Sequence, residues 1–154
     1  EKGEVNLHYI IEDAITHVSL IVENKGGYIK THLNALNSSV YGSDIHLTNI
    51  IVNIIDNAIK YTEVAPEIDI YTENEGNNII LKIVDKGIGM NKVVQKKIFE
   101  KFYREQMGNI HNVKGHGLGL SYVKRILDDH DAEINVESEK GNGSTFIIKL
   151  ELIT

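Results

Sequence analysis

The chain has 154 residues, 42% of them hydrophobic, with one Pro, no Cys and a net charge of −6 from 16 basic and 22 acidic side chains. That size and apolar content suit a single domain, residues 1–154, with a core of its own; the missing Cys excludes disulfides and thiolate metal sites. No long basic run supplies a nucleic-acid footprint, and no apolar run approaches the roughly 20 residues of a membrane helix, so a soluble domain without nucleic-acid or membrane contact is expected.

The start, Glu1-Lys2-Gly3, has no signal-peptide pattern and no initiator Met, and the chain is read as a piece of a longer protein. From Asn6 to about Asn24, Ile10, Ile11, Ala14, Val18, Ile21 and Val22 recur at helical spacing and stop at Gly26-Gly27, predicting a first helix. Tyr28 to Ala35 alternates as a strand, and a short extended piece is expected near Ser39 to Tyr41. Ser43 or Asp44 can cap a second helix running to about Tyr61. Ile68, Ile70 and then Ile79 to Asp85 read as two strands joined at Glu75-Gly76-Asn77. A short helix from about Asn91 to Phe99, an irregular stretch from Tyr103 to Gly115 and a helix from near Gly117 to near His130 follow. Ala132 to Ser138 and Ser144 to Leu150 form a last hairpin around Gly141-Asn142-Gly143. Interleaved helices and hairpins predict an α+β, two-layer sandwich: a mixed, mostly antiparallel sheet of about five strands covered on one face by three helices.

The second helix carries the first candidate site. Around its axis, Asn57, Lys60 and Tyr61 fall within about 100° of Asn53, beside an arc of Leu47, Ile51, Ile54, Ile55 and Ala58. The apolar arc is what packing requires; four hydrogen-bonding side chains gathered beside it are not. Three glycine clusters come next: Asp85-Lys86-Gly87-Ile88-Gly89-Met90, Gly115-His116-Gly117-Leu118-Gly119-Leu120, and Gly141-Asn142-Gly143-Ser144-Thr145-Phe146. Each alone reads as a turn. The second opens a helix, where backbone N–H groups and the helix N-terminus suit an anion on a chain that is itself acidic.

The P-loop pattern is absent, so no lysine reaches terminal phosphates that way. The carbonyl of Asn57 is instead a hard oxygen ligand of the kind Mg²⁺ accepts alongside waters and phosphate oxygens, and Lys60 can neutralise phosphate charge. Asp85 ends an apolar strand. An ionised carboxylate there would accept from the exocyclic amine of adenine and repel the carbonyl oxygen of guanine, although a solvated strand end is the commoner fate of such a residue.

The helix from Asn53 to Thr62 resembles the N box of the catalytic and ATP-binding domain of sensor histidine kinases. Asp85 to Met90 resembles its first glycine box, Ile98-Phe99-Glu100-Lys101-Phe102-Tyr103-Arg104 its F box, Gly115 to Leu120 its second glycine box and Gly141 to Phe146 its last, in order and spacing over essentially the whole chain. The resemblance implies the ATP-binding sandwich, called the Bergerat fold, shared with gyrase, chaperone and mismatch-repair ATPases. It implies an ATP-binding set of Asn53, Asn57, Lys60, Tyr61, Asp85, Gly87, Ile88, Gly89, Met90, Phe102, Tyr103, Arg104, Gly115, His116, Gly117, Leu118, Gly119, Leu120 and Thr145. Within that set Asn57 is the Mg²⁺ ligand, Asp85 binds adenine, and Asn53, Lys60 and Arg104 are the catalytic members. Residues 103–117 would form a lid over the nucleotide.

The implied activity is transfer of the γ-phosphoryl group of Mg-ATP to a histidine on a separate dimerisation helix, with a response regulator downstream. Hydrolytic relatives place a Glu where this chain has Asn53, and an amide cannot take a proton from water. None of the seven histidines has the surroundings of the family's phosphoacceptor, so the acceptor is expected outside this chain. His111 and His116 have too few companion ligands nearby for a metal site. His130-Asp131-Ala132 stands where the family has His-Gly-Gly, and a left-handed turn is expected at Asp131 with some strain. The rivals are an ATP-hydrolysing conformational enzyme of the same superfamily and a regulatory nucleotide-binding module. The need for ATP implies the cytoplasm, with the longer protein anchored in the inner membrane by family analogy.

Overall fold

Asn6 ends a short strand, β1 (Gly3–Asn6), and caps the helix that follows, its side chain accepting from the His8 N–H at 2.9 Å. In the computed structural model, which describes residues 1–100 and 119–154, that helix is α1 (Leu7–Asn24). The strand was not expected, because four residues are too few for alternation to register; it is held by antiparallel pairing with β3 (Ser39–Gly42) in a two-stranded sheet. Helix α1 buries Ile10, Ile11, Ala14, Val18 and Val22 of the predicted periodic set and also Leu7, while Ile21 stays exposed.

Strand β2 (Tyr28–Leu33) leads through β3 to α2 (Asp44–Lys60), whose N-cap is Ser43. The Ser43 side chain accepts from His46 N–H at 3.2 Å, Asp44 stands in the first turn and Lys60 in the last, so both ends match the helix dipole. Strands β4 (Glu67–Glu75) and β5 (Asn78–Asp85) form the expected hairpin, with Gly76 at φ 59° in the turn. Helix α3 (Lys92–Lys97), helix α4 (Gly119–Asp129), and strands β6 (Glu133–Ser138) and β7 (Ser144–Glu151) complete the described elements.

The main sheet has the order β2-β4-β5-β7-β6, with β2 parallel to β4 and every other pair antiparallel. This is the predicted mixed sheet. One face carries Ile68, Ile70, Ile79, Leu81, Ile83, Phe146, Ile148 and Leu150, all buried in a single cluster with α1, α2 and α4. The period of two decides the location of Asp85: it continues the row Ile79, Leu81, Ile83 and so points to the helix-covered side, between Ile68 and Ser144 on the neighbouring strands.

Two features follow from the C-terminal end of α4. Ala132 N–H donates to Leu127 C=O at 2.9 Å and Asp131 N–H to Asp128 C=O at 3.1 Å, the two bonds of a Schellman cap, with Asp131 at φ 53°. This is the left-handed turn expected at the position where the family has glycine. Asp131→Gly should therefore raise stability by about 0.5–1 kcal/mol, read from the urea midpoint.

His130 joins α4 to the start of α2. Its Nε2 accepts from Ser43 N–H at 3.0 Å and its Nδ1 donates to Ile126 C=O at 2.8 Å, a pattern only the neutral ring satisfies. Burial holds the imidazole below its ordinary value, as it does for His8, whose Nε2 lies 2.8 Å from Thr72 Oγ1. Because the folded values lie below the unfolded one near 6.5, the stability these rings contribute is present above that pH. It is lost as pH falls through the folded values. The urea midpoint should drop on acidification below neutrality, and less steeply in His130→Gln, whose carbonyl can accept from Ser43 but cannot titrate.

Candidate functional site

On α2 the packed arc is Leu47, Ile50, Ile51, Ile54, Ile55, Ala58 and Ile59, and the half-buried strip beside it is Asn53, Asp56, Asn57 and Lys60. The polar face read from the sequence is present. Asn53 Nδ2 donates to Asn49 C=O at 2.8 Å, which fixes the carboxamide along its own helix. Lys60 Nζ lies 3.1 Å from Asp56 Oδ2, with both side chains less than a fifth exposed. Asp56, not singled out in the sequence, is thus the resident counter-charge of Lys60. The signal was available in its i, i+4 spacing.

Tyr61 caps the end of α2, and its carbonyl accepts from Ile88 N–H at 3.1 Å. This bond draws the loop after β5 against the C-terminal end of α2. Gly87 lies close there: a Cβ on it would sit 2.8 Å from Tyr61 C=O, 2.9 Å from Thr62 Oγ1 and 3.1 Å from Asp85 Oδ1. Thr62 Oγ1 in turn donates to Ala58 C=O at 2.7 Å.

Asp85 is 8% exposed. Its Oδ1 accepts from Gly87 N–H at 2.9 Å and from Ser144 N–H at 3.3 Å. Burial pushes its carboxyl above the ordinary carboxylate range, and these two backbone bonds oppose that shift. The close approach of the last hairpin depends on glycine: Gly143 has φ 80°, and a Cβ on it would collide with Asp85 C=O.

Gly87, Ile88, Gly89 and Met90 follow Asp85 in one loop, which meets Tyr61 through the Ile88 N–H and the close approach of Gly87. Gly119 and Leu120 open the described part of α4, which packs on α2. Thr145 is not brought in. It pairs in register with Val84 and is half-buried, while its neighbours Ser144 and Phe146 are buried. Alternation along β7 therefore sends Thr145 to the open face and turns Ser144, which the motif-implied set did not include, toward Asp85. Phe102, Tyr103, Arg104, Gly115, His116, Gly117, Leu118 and the proposed lid lie outside the described residues.

A divalent cation can be considered on the donors present. Among the described residues, no group of three His, Asp or Glu is placed to hold a metal ion. A single carboxamide such as Asn57 fits Mg²⁺ carried in on phosphate oxygens and waters, but not a cation bound by protein alone.

Residues 42–154 match the family described as histidine kinase-, DNA gyrase B-, and HSP90-like ATPase. Over 154 aligned residues the chain is 43% identical to the sensor protein RprX of Bacteroides fragilis, covering 97% of this chain and 29% of that protein. It is 31% identical to the sensor-like histidine kinase SenX3 of Mycobacterium tuberculosis over 147 residues, covering 96% of this chain and 36% of that protein. The chain thus spans about a third of the length of these curated relatives. Among solved structures, the catalytic domain of histidine kinase ThkA superposes with a TM-score of 0.82 at 21% identity, covering 98% of this chain and 95% of that one. ThkA in complex with the response regulator protein TrrA gives 0.80 at 21% identity, covering 99% and 42%.

Proposed function

The chain belongs to the family of histidine kinase-, DNA gyrase B- and HSP90-like ATPases, and on that premise we propose that it binds Mg-ATP and donates the γ-phosphoryl group to a histidine on a separate dimerisation helix. The observation that carries the reading is the buried Asp85, held through Oδ1 by two backbone N–H groups and followed by a loop that meets the C-terminal end of α2. A carboxylate so held offers Oδ2 to the exocyclic amine of adenine and repels the carbonyl of guanine.

In this reading Asn57 supplies one oxygen to Mg²⁺, which when bound neutralises charge on the phosphates. Lys60 is drawn from Asp56 to the phosphate oxygens, and the second amide hydrogen of Asn53 meets the same group. Tyr61 packs beside the nucleotide, with Gly87 to Met90 lining the base and Gly119 and Leu120 the phosphate end. Arg104 is proposed, by the resemblance alone, as a contact to the terminal phosphate. Asn53 cannot act as a general base toward water, which favours transfer over hydrolysis. The relative named as a sensor-like histidine kinase, SenX3, supports this over a regulatory module without catalysis.

The partners proposed are the dimerisation and phosphoacceptor segment of a longer kinase and, downstream, a response regulator, supported by the regulator-bound form of ThkA. Among the described residues no helix is long and apolar enough to cross a membrane, and the proposed use of ATP supports a reaction on the cytoplasmic side. The test is to mix the chain with dimerisation helices of its full-length protein and γ-labelled ATP. Acid-labile label on those helices is expected, with none on the chain alone; steady phosphate release by the chain alone would favour the hydrolytic rival.

A further inference from the structure

The backbone of Met90, the last residue of the loop after Asp85, is held on both sides by side chains from other elements. Its N–H donates to Ser138 Oγ at 2.8 Å, and its C=O accepts from Gln95 Nε2 at 2.8 Å. The second Nε2 hydrogen goes to Ser138 C=O at 2.9 Å, so the amide orientation is fixed by two acceptors. Ser138 Oγ also lies 2.8 Å from Gly143 C=O and 2.8 Å from Ser144 Oγ. With one hydroxyl proton, the consistent assignment is donation to Gly143 and acceptance from Met90 and Ser144. Ser144 N–H then reaches Asp85 Oδ1. A further bond, Gly141 N–H to Ile88 C=O at 2.6 Å, and the close approach of Gly89 to Glu139 C=O fasten the same loop to the same hairpin.

We propose that Ser138 and Gln95 are positioning residues that hold the Gly87–Met90 loop, and through Ser144 the Asp85 carboxylate, in the arrangement that discriminates adenine from guanine. The proposal rests on the reading of Asp85 as the group that meets the base. Neither residue needs to touch the nucleotide. Fixing the loop before ligand arrives removes an ordering cost from binding, and a shift of Asp85 by a fraction of an ångström weakens a short, directional bond more than it weakens charge contacts with phosphate.

The experiment is calorimetry of the parent chain, Ser138→Ala, Ser138→Thr and Gln95→Ala with Mg-ATP and Mg-GTP, alongside amide exchange in the free proteins. Ser138→Ala should bind Mg-ATP roughly tenfold more weakly while GTP binding hardly changes, and Ser138→Thr, which keeps the hydroxyl, should restore the preference. Gln95→Ala should lose a smaller factor in the same sense. Exchange at Met90 should accelerate in Ser138→Ala with β5 amides unchanged. Equal losses for both nucleotides, unchanged ATP affinity, or faster exchange throughout β5 would each overturn the proposal. A parent chain without ATP preference would instead remove the base-reading role of Asp85, and Met90 exchange would then decide the clamp by itself.

Discussion

An Asp85→Asn chain should melt at a higher temperature than the parent and yet lose its preference for ATP over GTP. Both halves come from the same burial. The amide oxygen of Asn can accept from Gly87 and Ser144 as Oδ1 does now, so the loop keeps its two anchors. Burial raises the Asp85 carboxyl above its unfolded value, which means the fold favours the protonated form. The stability that form contributes is present below the unfolded value of 3.8 and is lost as pH rises through the folded one. At neutral pH the ionised group therefore weighs against the fold, and a neutral amide removes that load.

The ligand sees the opposite change. Asn presents an N–H₂ where the carboxylate presented an oxygen, which removes the acceptor for the adenine amine and offers a donor to guanine O6. Losing a hydrogen bond to a charged group costs about 2 kcal/mol, or roughly thirtyfold in ATP affinity. Thermal denaturation without nucleotide and titration with each nucleotide measure the two halves separately. A stabilised chain that still prefers ATP would leave the carboxylate a structural residue only.

Asn57→Ala should abolish the dependence of nucleotide binding on Mg²⁺. Asn57 is half-buried on a helix anchored by Ile54, Ile55 and Ala58, and Ala is the better helix former, so the substitution spares the scaffold. The parent should bind ATP more tightly as Mg²⁺ is added, because the carboxamide oxygen completes the coordination of a cation already on the phosphates. The variant should show a flat Mg²⁺ titration and an affinity about tenfold to a hundredfold below the parent at saturating Mg²⁺. An unchanged Mg²⁺ titration would remove Asn57 from the metal.

The sequence made the elements legible where one periodicity ran long enough. The Ile-rich arc of α2 and the alternating hairpins predicted the layers and the mixed sheet, whereas β1 was missed because four residues carry no period. Asp85 was read as a strand end open to solvent or ligand; counting by twos from Ile79 would have put it on the core side. The same count separates Ser144, which turns toward Asp85, from Thr145, which does not. What no pattern could reveal is the cross-linking of distant segments: Ser138 to Met90, Gln95 to both, His130 to Ser43. Apart from Gln95 to Met90, which are five positions apart, those bonds join residues 43 to 87 positions apart, and only the fold brings them within reach.

In the proposed function, the face of α2 and the loop after β5 form one adenine-selective nucleotide site. Calorimetric titration of the unmodified chain with Mg-ATP and Mg-GTP tests it most directly. A single site saturated by Mg-ATP and hardly occupied by Mg-GTP is expected; equal affinity for the two, or no binding of either, would rule such a site out.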